Sequence, residues 1–456
     1  MRRLSRVWLL VTVTAVLATS GYVVITNWNS PSVTDWPQLE LPKTSAGQCA
    51  VEFFDAFNSD DGEKLRAYYQ KYRTTSYLEK NPIEKSIAFF KKGFELFGLL
   101  TPIHIAQSTE SEIIILCRSQ RMESLIQTRF VMDDDKPPHL KALNIDALNV
   151  TKPEEYSLID DKVIRSTINS VAKILREQYV YPKKGEQIAS TLEQYYAQGR
   201  YAEYTDGVAF ASKASDDLRA IGEDVHLGLW YGKPPEDKEI REIDDKVAAN
   251  ANYGFSKTEI LSNNIGYITI DMFHHSEEAR AIAVKELEKV ADCGALIFDI
   301  RDNRGGAQEL IDLIASYFFK EPTLLGSRYS RIHEDEVKEF YSFEKVPGKR
   351  FAENVPIYIL TSDYTCSAAE VFAICLQELK RAKIVGEATC GGAHTVIQSA
   401  VNDRFWMNIP YGRGMGPVSG RDWEGVGVIP DIEVPAEEAL DAACEHASKL
   451  LESMGH

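Results

Sequence analysis

Beyond Asn264 short β-branched runs alternate with segments of helical spacing, and no other feature of the chain limits its fold so tightly. Residues 266–272, 295–300, 355–360 and 383–385 predict strands, and 277–290, 307–319 and 368–379 predict helices. Strands separated by helices pair in parallel, with the crossover helices packed on the sheet, so the region 264–456 is predicted to be an α/β layer.

The rest of the chain has a different texture. A length of 456 residues with 44% hydrophobic content is enough for two or three domains with their own cores. In 46–150 helical spacing comes first, through Val51, Phe53, Phe54, Phe57 and Leu65. Strand-like runs follow at 102–107, 113–117 and 128–132, with 141–145 as a further edge strand. This is an accessory α+β domain with no cluster of catalytic residue types, suited to docking or dimerisation. Its helix-then-sheet order is similar to that of cone-shaped domains of the nuclear-transport-factor type. In 151–230 the stripe Val163, Ile164, Ile168, Val171, Ile174 and Leu175 predicts a small helical bundle. Pro234, Pro235 and dense charge break the periodicity in 231–263, which reads as a charged connector or lid. No internal repeat of solenoid length is present.

Lys plus Arg number 51 against 68 Asp plus Glu, a net charge of −17, which disfavours nucleic acid and anionic membrane surfaces as partners. Arg2, Arg3 and Arg6 precede an uncharged run over 7–25, the pattern of an export signal or of an uncleaved membrane anchor. Residues 27–45, with Pro31, Pro37 and Pro42, then read as a linker, so 1–45 stands apart from the folded body. Either reading places that body outside the cytoplasm, periplasmic or extracellular. Of seven cysteines at least one must lack an intramolecular partner. Cys49 and Cys117 are either a disulfide or two buried thiols. No CxxC or Cys/His pattern of zinc spacing occurs, so neither structural metal nor cofactor is expected.

Two segments offer chemistry. Ser367 lies in Thr361-Ser362-Asp363-Tyr364-Thr365-Cys366-Ser367-Ala368-Ala369-Glu370, after an apolar strand and at the start of a helix, where free backbone amides can receive an oxyanion. Ser367, Ser362 or Thr365 could equally be a helix cap there. In Phe298-Asp299-Ile300-Arg301-Asp302-Asn303-Arg304-Gly305-Gly306 a strand ends in a polar turn and a glycine pair. Such glycines serve an oxyanion pocket, or simply a tight turn steadied by an Asp-Arg pair.

With Gly386-Glu387-Ala388-Thr389-Cys390-Gly391-Gly392-Ala393-His394 and Trp423-Glu424-Gly425-Val426-Gly427-Val428-Ile429-Pro430-Asp431, these segments resemble the family of the carboxy-terminal-processing (tail-specific) peptidases and tricorn protease. The branch is similar to the interphotoreceptor retinoid-binding protein modules, and the resemblance runs from Ile159 to about Ala443, through Tyr179-Val180-Tyr181-Pro182.

The resemblance implies a crotonase-like α/β core and peptide-bond cleavage by an activated serine, Ser367. The lysine of the family's Ser-Lys variant would fall at Gly392, so another base is required. Gly222-Glu223-Asp224-Val225-His226 matches the position of the histidine in the Ser-His-Glu variant, which makes His226 the general base. His394, two residues past Gly392, is the rival base or a pocket residue, because strand alternation would aim it to the same side. Glu424 would be the orienting carboxylate, and the oxyanion donors would be backbone N–H groups of Ala368 and of the Gly305-Gly306 turn. The interval from His226 to Gly266 is too short for a peptide-binding PDZ domain of about 80 to 100 residues. The expected partner is a peptide or unfolded protein, and no oligomeric state follows. The alternative function is a catalytically silent binding module for an apolar ligand or peptide.

Overall fold

The computed structural model describes residues 39–80, 83–122, 124–148, 150, 158–234 and 248–454. The export or anchor segment lies outside the described residues. Among the described residues no helix is long and apolar enough to cross a membrane. The architecture is mixed α/β, with helices and several sheets, and it divides into two compact units. The first comprises 1–173, 188–243 and 398–408, and the second 174–187, 244–397 and 409–456.

In the first unit four helices, Ser45–Asn58, Gly62–Tyr72, Thr75–Lys80 and Ile83–Phe97, precede an antiparallel sheet. Its strands Leu100–Ser108, Glu112–Ser119, Ile126–Met132 and Leu140–Ala147 pair in chain order. Side chains of Thr44 and Asp61 accept from the first free amides of the first two helices, which stops fraying there. Phe53 is the centre of the core, stacked on Phe57 and edge-on to Phe90 and Phe130. Each ring so buried contributes roughly 1.5 to 3 kcal/mol of apolar transfer. Cys49 and Cys117 are not joined: both are buried free thiols. The Cys49 sulfur sits 3.2 Å from the Tyr68 hydroxyl and that of Cys117 3.9 Å from Thr128 Oγ1, so each has a partner on the neighbouring helix or strand.

The same unit takes in helix Gly207–Gly222, capped by Asp206, whose carboxylate accepts from Val208 and Ala209 N–H and meets His104 Nε2 at 2.9 Å. Arg129 ties the sheet to this helix through a bidentate bond to Asp216 and a further bond to Glu112. Strand Gly228–Tyr231 pairs antiparallel with Phe405–Asn408.

The second unit is built on a six-stranded sheet in the order Ile432–Glu433, Lys383–Gly386, Ile357–Thr361, Ala295–Asp299, Ile265–Ile270, Phe255–Leu261. All pairings are parallel except the last, where Phe255–Leu261 runs antiparallel at the edge. That edge strand falls in the stretch expected as connector. Its burial pattern, with no residue after Phe255 buried, explains why it carries little apolar signal. Residues 235–247 of that stretch are outside the described residues.

Alternation across the two central strands sorts their side chains between two cores. Leu296, Phe298 and Ile359 face helices Glu277–Lys289, Gln308–Ser316 and Ala368–Glu378, while Ile297, Tyr358 and Leu360 face Ala439, Ala443, Ala447 and Leu451 of the last helix. Burial on both faces makes Ala295–Asp299 and Ile357–Thr361 entirely buried, as parallel strands between helix layers are. An antiparallel hairpin, Leu324–Ser330 with Glu336–Tyr341, adds Gly412–Met415 at its inner edge.

Asp312 sits buried on the helix Gln308–Ser316 with Gln308 Nε2 donating to it at 2.7 Å. Loss of solvent pushes its carboxyl up to about 6. Since an unfolded aspartate titrates near 4, the charged form costs stability above about pH 6, and the cost disappears as pH falls toward 4. Asp312→Asn keeps the Gln308 bond. It is expected to be more stable than the parent at pH 7.5 by on the order of 2 to 3 kcal/mol, with the gap closing toward pH 4, in denaturant titrations. A gap that does not change with pH would contradict this assignment.

Candidate active site

Three neighbouring parallel strands, Ala295–Asp299, Ile357–Thr361 and Lys383–Gly386, end side by side, and the loops leaving their carboxyl ends meet around Ser367. This edge is where open α/β sheets place ligands. The loops are locked together by short polar bonds. Thr365 Oγ1 donates to Ile300 O at 2.9 Å, Ser362 Oγ to Arg301 O at 2.5 Å, and Cys366 N to Asn303 O at 3.0 Å. Asp299 is gripped by Arg301 through two guanidinium bonds and one from its backbone N–H, and by the Tyr267 hydroxyl at 2.6 Å. Burial alone would raise its carboxyl, but these partners hold it below the usual range.

Ser367 is exposed and precedes helix Ala368–Glu378, with φ 55° and ψ −125°. A non-glycine residue there is strained by about 1 to 3 kcal/mol, a cost found where backbone geometry serves a site. The Glu370 and Val371 amides return to the Ser367 carbonyl, and among the described residues no acceptor takes the Ala368 N–H.

The glycine pair abuts this turn. A Cβ on Gly305 would lie 2.8 Å from Ser367 Cβ and 2.9 Å from Ala368 N, and one on Gly306 would lie 2.0 Å from Phe273 O. Both glycines have positive φ, at 116° and 135°, so the close approach and the conformation each exclude a side chain. The two amides differ. Gly305 N–H is already given to Asn303 Oδ1 at 2.7 Å, whereas Gly306 N–H is left out of the bridge that Phe273 makes to Gly305 O and Ala307 N.

On the other side of Ser367 lies Glu370, fully buried. One carboxylate oxygen accepts from Ser367 N at 2.7 Å and Gly392 N at 2.8 Å, the other from Thr389 Oγ1 at 2.5 Å and Gly391 N at 2.8 Å. A disulfide joins Cys366 to Cys390, with 5.3 Å between the Cα atoms, and its Cys390 sulfur lies 3.6 Å from Glu370 Oε2. Gly392 faces the bridge: a Cβ there would stand 2.9 Å from Cys366 Sγ and 3.4 Å from Glu370 Oε2. A side chain at the position where the resemblance looks for a lysine would therefore have to displace the bridge sulfur.

Beyond Gly392 the chain enters strand His394–Asn402. The strand begins at His394, so alternation does not relate His394 to Gly392, which lies in the preceding turn. Glu424 Oε2 accepts from the Ala393 and His394 amides at 2.8 and 3.0 Å and lies 3.6 Å from His394 Nδ1. The His394 ring is edge-on to Tyr181, whose hydroxyl donates to Asp422 beside Arg413. Ser367, Ala368, Gly305, Gly306, His394 and Glu424 thus all belong to the second unit. His226 belongs to the first, two residues after buried Asp224, whose Oδ1 accepts the His226 N–H at 2.9 Å and lies 3.1 Å from Nδ1.

Residues not singled out in the sequence are Glu370, Asn303, Thr389, Asp224 and the disulfide cysteines. Of these only Glu370 carried a readable signal, the Ser-x-x-Glu spacing of a capping box. As for metal donors, the sulfurs beside Glu370 are spent on each other. In the first unit Asp133, Asp135 and His139 bring donor atoms within 4.8 Å of one another on a half-exposed loop.

Residues 264–434 match the model of peptidase family S41, and residues 161–268 match that of the N-terminal domain of peptidase S41 in eukaryotic IRBP. A carboxyl-terminal-processing protease of Picosynechococcus sp. is 28% identical over 225 residues, covering 47% of this chain and 50% of its own. A tail-specific protease of Haemophilus influenzae is 27% identical over 243 residues, covering 48% of this chain and 32% of its own. The chain spans half or less of the length of these curated relatives. Among solved structures, that of a photosystem II D1 C-terminal processing protease aligns over 64% of this chain and 98% of its own, with 15% identity and a TM-score of 0.42.

The disulfide gives a direct chemical expectation. Denatured but unreduced protein should titrate five thiols, and reduced protein all seven. Replacing Cys366 and Cys390 together by Ser should lower stability by roughly 2 to 4 kcal/mol, given the loop that the bridge closes. Seven thiols before reduction would contradict the bridge.

Proposed function

We propose that this chain, which belongs to peptidase family S41, hydrolyses peptide bonds with Ser367 as nucleophile. The observation that carries the reading is the setting of Ser367: an exposed hydroxyl on a strained residue, beside the unclaimed Ala368 amide and against a glycine turn that admits no side chain. A carbonyl carbon attacked by Oγ places its oxygen where amides at a helix start can stabilise the developing charge. The Ala368 N–H and the Gly305-Gly306 turn are the proposed donors, with Gly306 supplying the amide that Asn303 leaves open.

His226 is the proposed general base. A carboxylate at Nδ1, here Asp224, favours the tautomer whose Nε2 accepts the serine proton and then delivers it to the departing amine. Water repeats the attack on the acyl-enzyme, and the serine is restored. Glu424 is the proposed orienting carboxylate, acting on the backbone at Ala393 and His394. His394 is the alternative base. The α/β layer is read as crotonase-like, the segment before it as a helical bundle, and the substrate as a peptide or unfolded protein. Export is the proposed address, supported by the basic and apolar N-terminus and by a disulfide, which persists in oxidising compartments.

A fluorophosphonate probe should label wild type, and Ser367→Ala should abolish both labelling and turnover of unfolded casein. His226→Ala should lower kcat by about a thousandfold or more, with His394→Ala milder. Labelling that survives in Ser367→Ala would remove Ser367 as nucleophile. Wild type that neither labels nor cleaves would favour a silent binding module.

A further inference from the structure

We propose that Glu370 is a positioning residue for Ser367: its buried carboxylate bonds the Ser367 amide and the Gly391-Gly392 turn at once, and so holds the serine in the backbone geometry on which its reactivity depends. The inference deepens the peptidase reading and rests on it.

The donors around Glu370 call for a carboxylate and no other group. Three are backbone amides, of Ser367, Gly391 and Gly392. The fourth is the Thr389 hydroxyl, whose oxygen accepts from Val428 N at 2.7 Å and whose proton goes to the carboxylate, which can only accept. Two oxygens with acceptor sites only can satisfy all four, whereas an amide side chain would turn N–H groups toward two N–H or O–H donors. Burial pushes the Glu370 carboxyl up from its usual range, and these bonds oppose that push.

What the carboxylate holds is specific to the serine. The Ser367 backbone is in a region of φ that a side chain rarely adopts, and its amide has Glu370 as partner. The same oxygen holds Gly392 N, so the turn that faces the disulfide and the turn that carries the hydroxyl share one anchor. The bridge from Cys366 to Cys390 links the flanking residues of the same two turns. Release of that anchor lets Ser367 relax toward ordinary φ, which swings Oγ and the Ala368 N–H away from their common target. Glu370 itself, buried beneath the turn, has no path to a substrate.

The test uses the full chain as wild type, Glu370→Gln, Glu370→Asp and Ser367→Ala, comparing the rate of labelling by a fluorophosphonate, kcat and KM on a peptide, and the thermal midpoint. Glu370→Gln should fold but label and turn over at least about 30-fold more slowly, with KM within about threefold. Glu370→Asp keeps the acceptors on a shorter arm and should recover part of the loss. A folded Glu370→Gln that labels at the wild-type rate, or whose loss lies in KM alone, overturns the proposal and leaves the peptidase reading intact. If Glu370→Gln does not fold, Glu370→Asp decides, and a wild-type labelling rate in it overturns the proposal. Wild type that is not labelled at Ser367 overturns the peptidase reading, and this proposal with it.

Discussion

The strained backbone of Ser367 is the constraint from which the geometry of this site follows. A non-glycine residue with φ 55° and ψ −125° costs about 1 to 3 kcal/mol and persists only when its neighbours leave no alternative. Those neighbours are in place on both sides. Asn303 and the glycine pair crowd one face, and Glu370 accepts the Ser367 amide on the other. A hydrogen bond to a charged group contributes about 1.5 to 3 kcal/mol, so the bond from Ser367 N to Glu370 is of the size needed to offset the strain. The sheet makes this possible because parallel neighbours deliver their outgoing loops to one edge.

The second consequence concerns the base. A lysine two residues after Cys390 would need the space now held by Cys366 Sγ and the Glu370 carboxylate. The disulfide and the absent lysine are therefore two aspects of one packing solution, and the proposed peptidase reading calls for a base from elsewhere. Histidine suits that task near neutral pH. Of the two considered, His226 has a buried carboxylate at Nδ1 and His394 has Glu424, itself shared with two backbone amides.

Much of the fold was legible because the apolar runs of central strands and the stripes of their helices are strong, short-range signals. The strands Ala295–Asp299 and Ile357–Thr361 and the helix Ala368–Glu378 lie where period and composition put them. The edge strand Phe255–Leu261, in the stretch read as connector, and the hairpin Leu324–Ser330 with Glu336–Tyr341, for which the sequence carried no reading, have half-exposed or charged faces and so little apolar period. In the site, Ser367 and the glycine pair stood out as residue types at a strand end. The disulfide did not, since its cysteines are 24 residues apart and nothing local distinguishes them from the buried thiols Cys49 and Cys117. Nor could composition reveal that Asn303 claims the Gly305 amide, because that depends on where one side chain turns back.

The central claim is that Ser367 and the Ala368 amide face a common point at which an oxyanion forms. A crystal structure of the protein reacted with a peptidyl boronate tests it most directly. The account predicts boron bonded to Ser367 Oγ with one boronate oxygen about 3 Å from Ala368 N. A ligand bonded elsewhere, or a boronate on Ser367 whose oxygens all point into solvent away from Ala368, would contradict it.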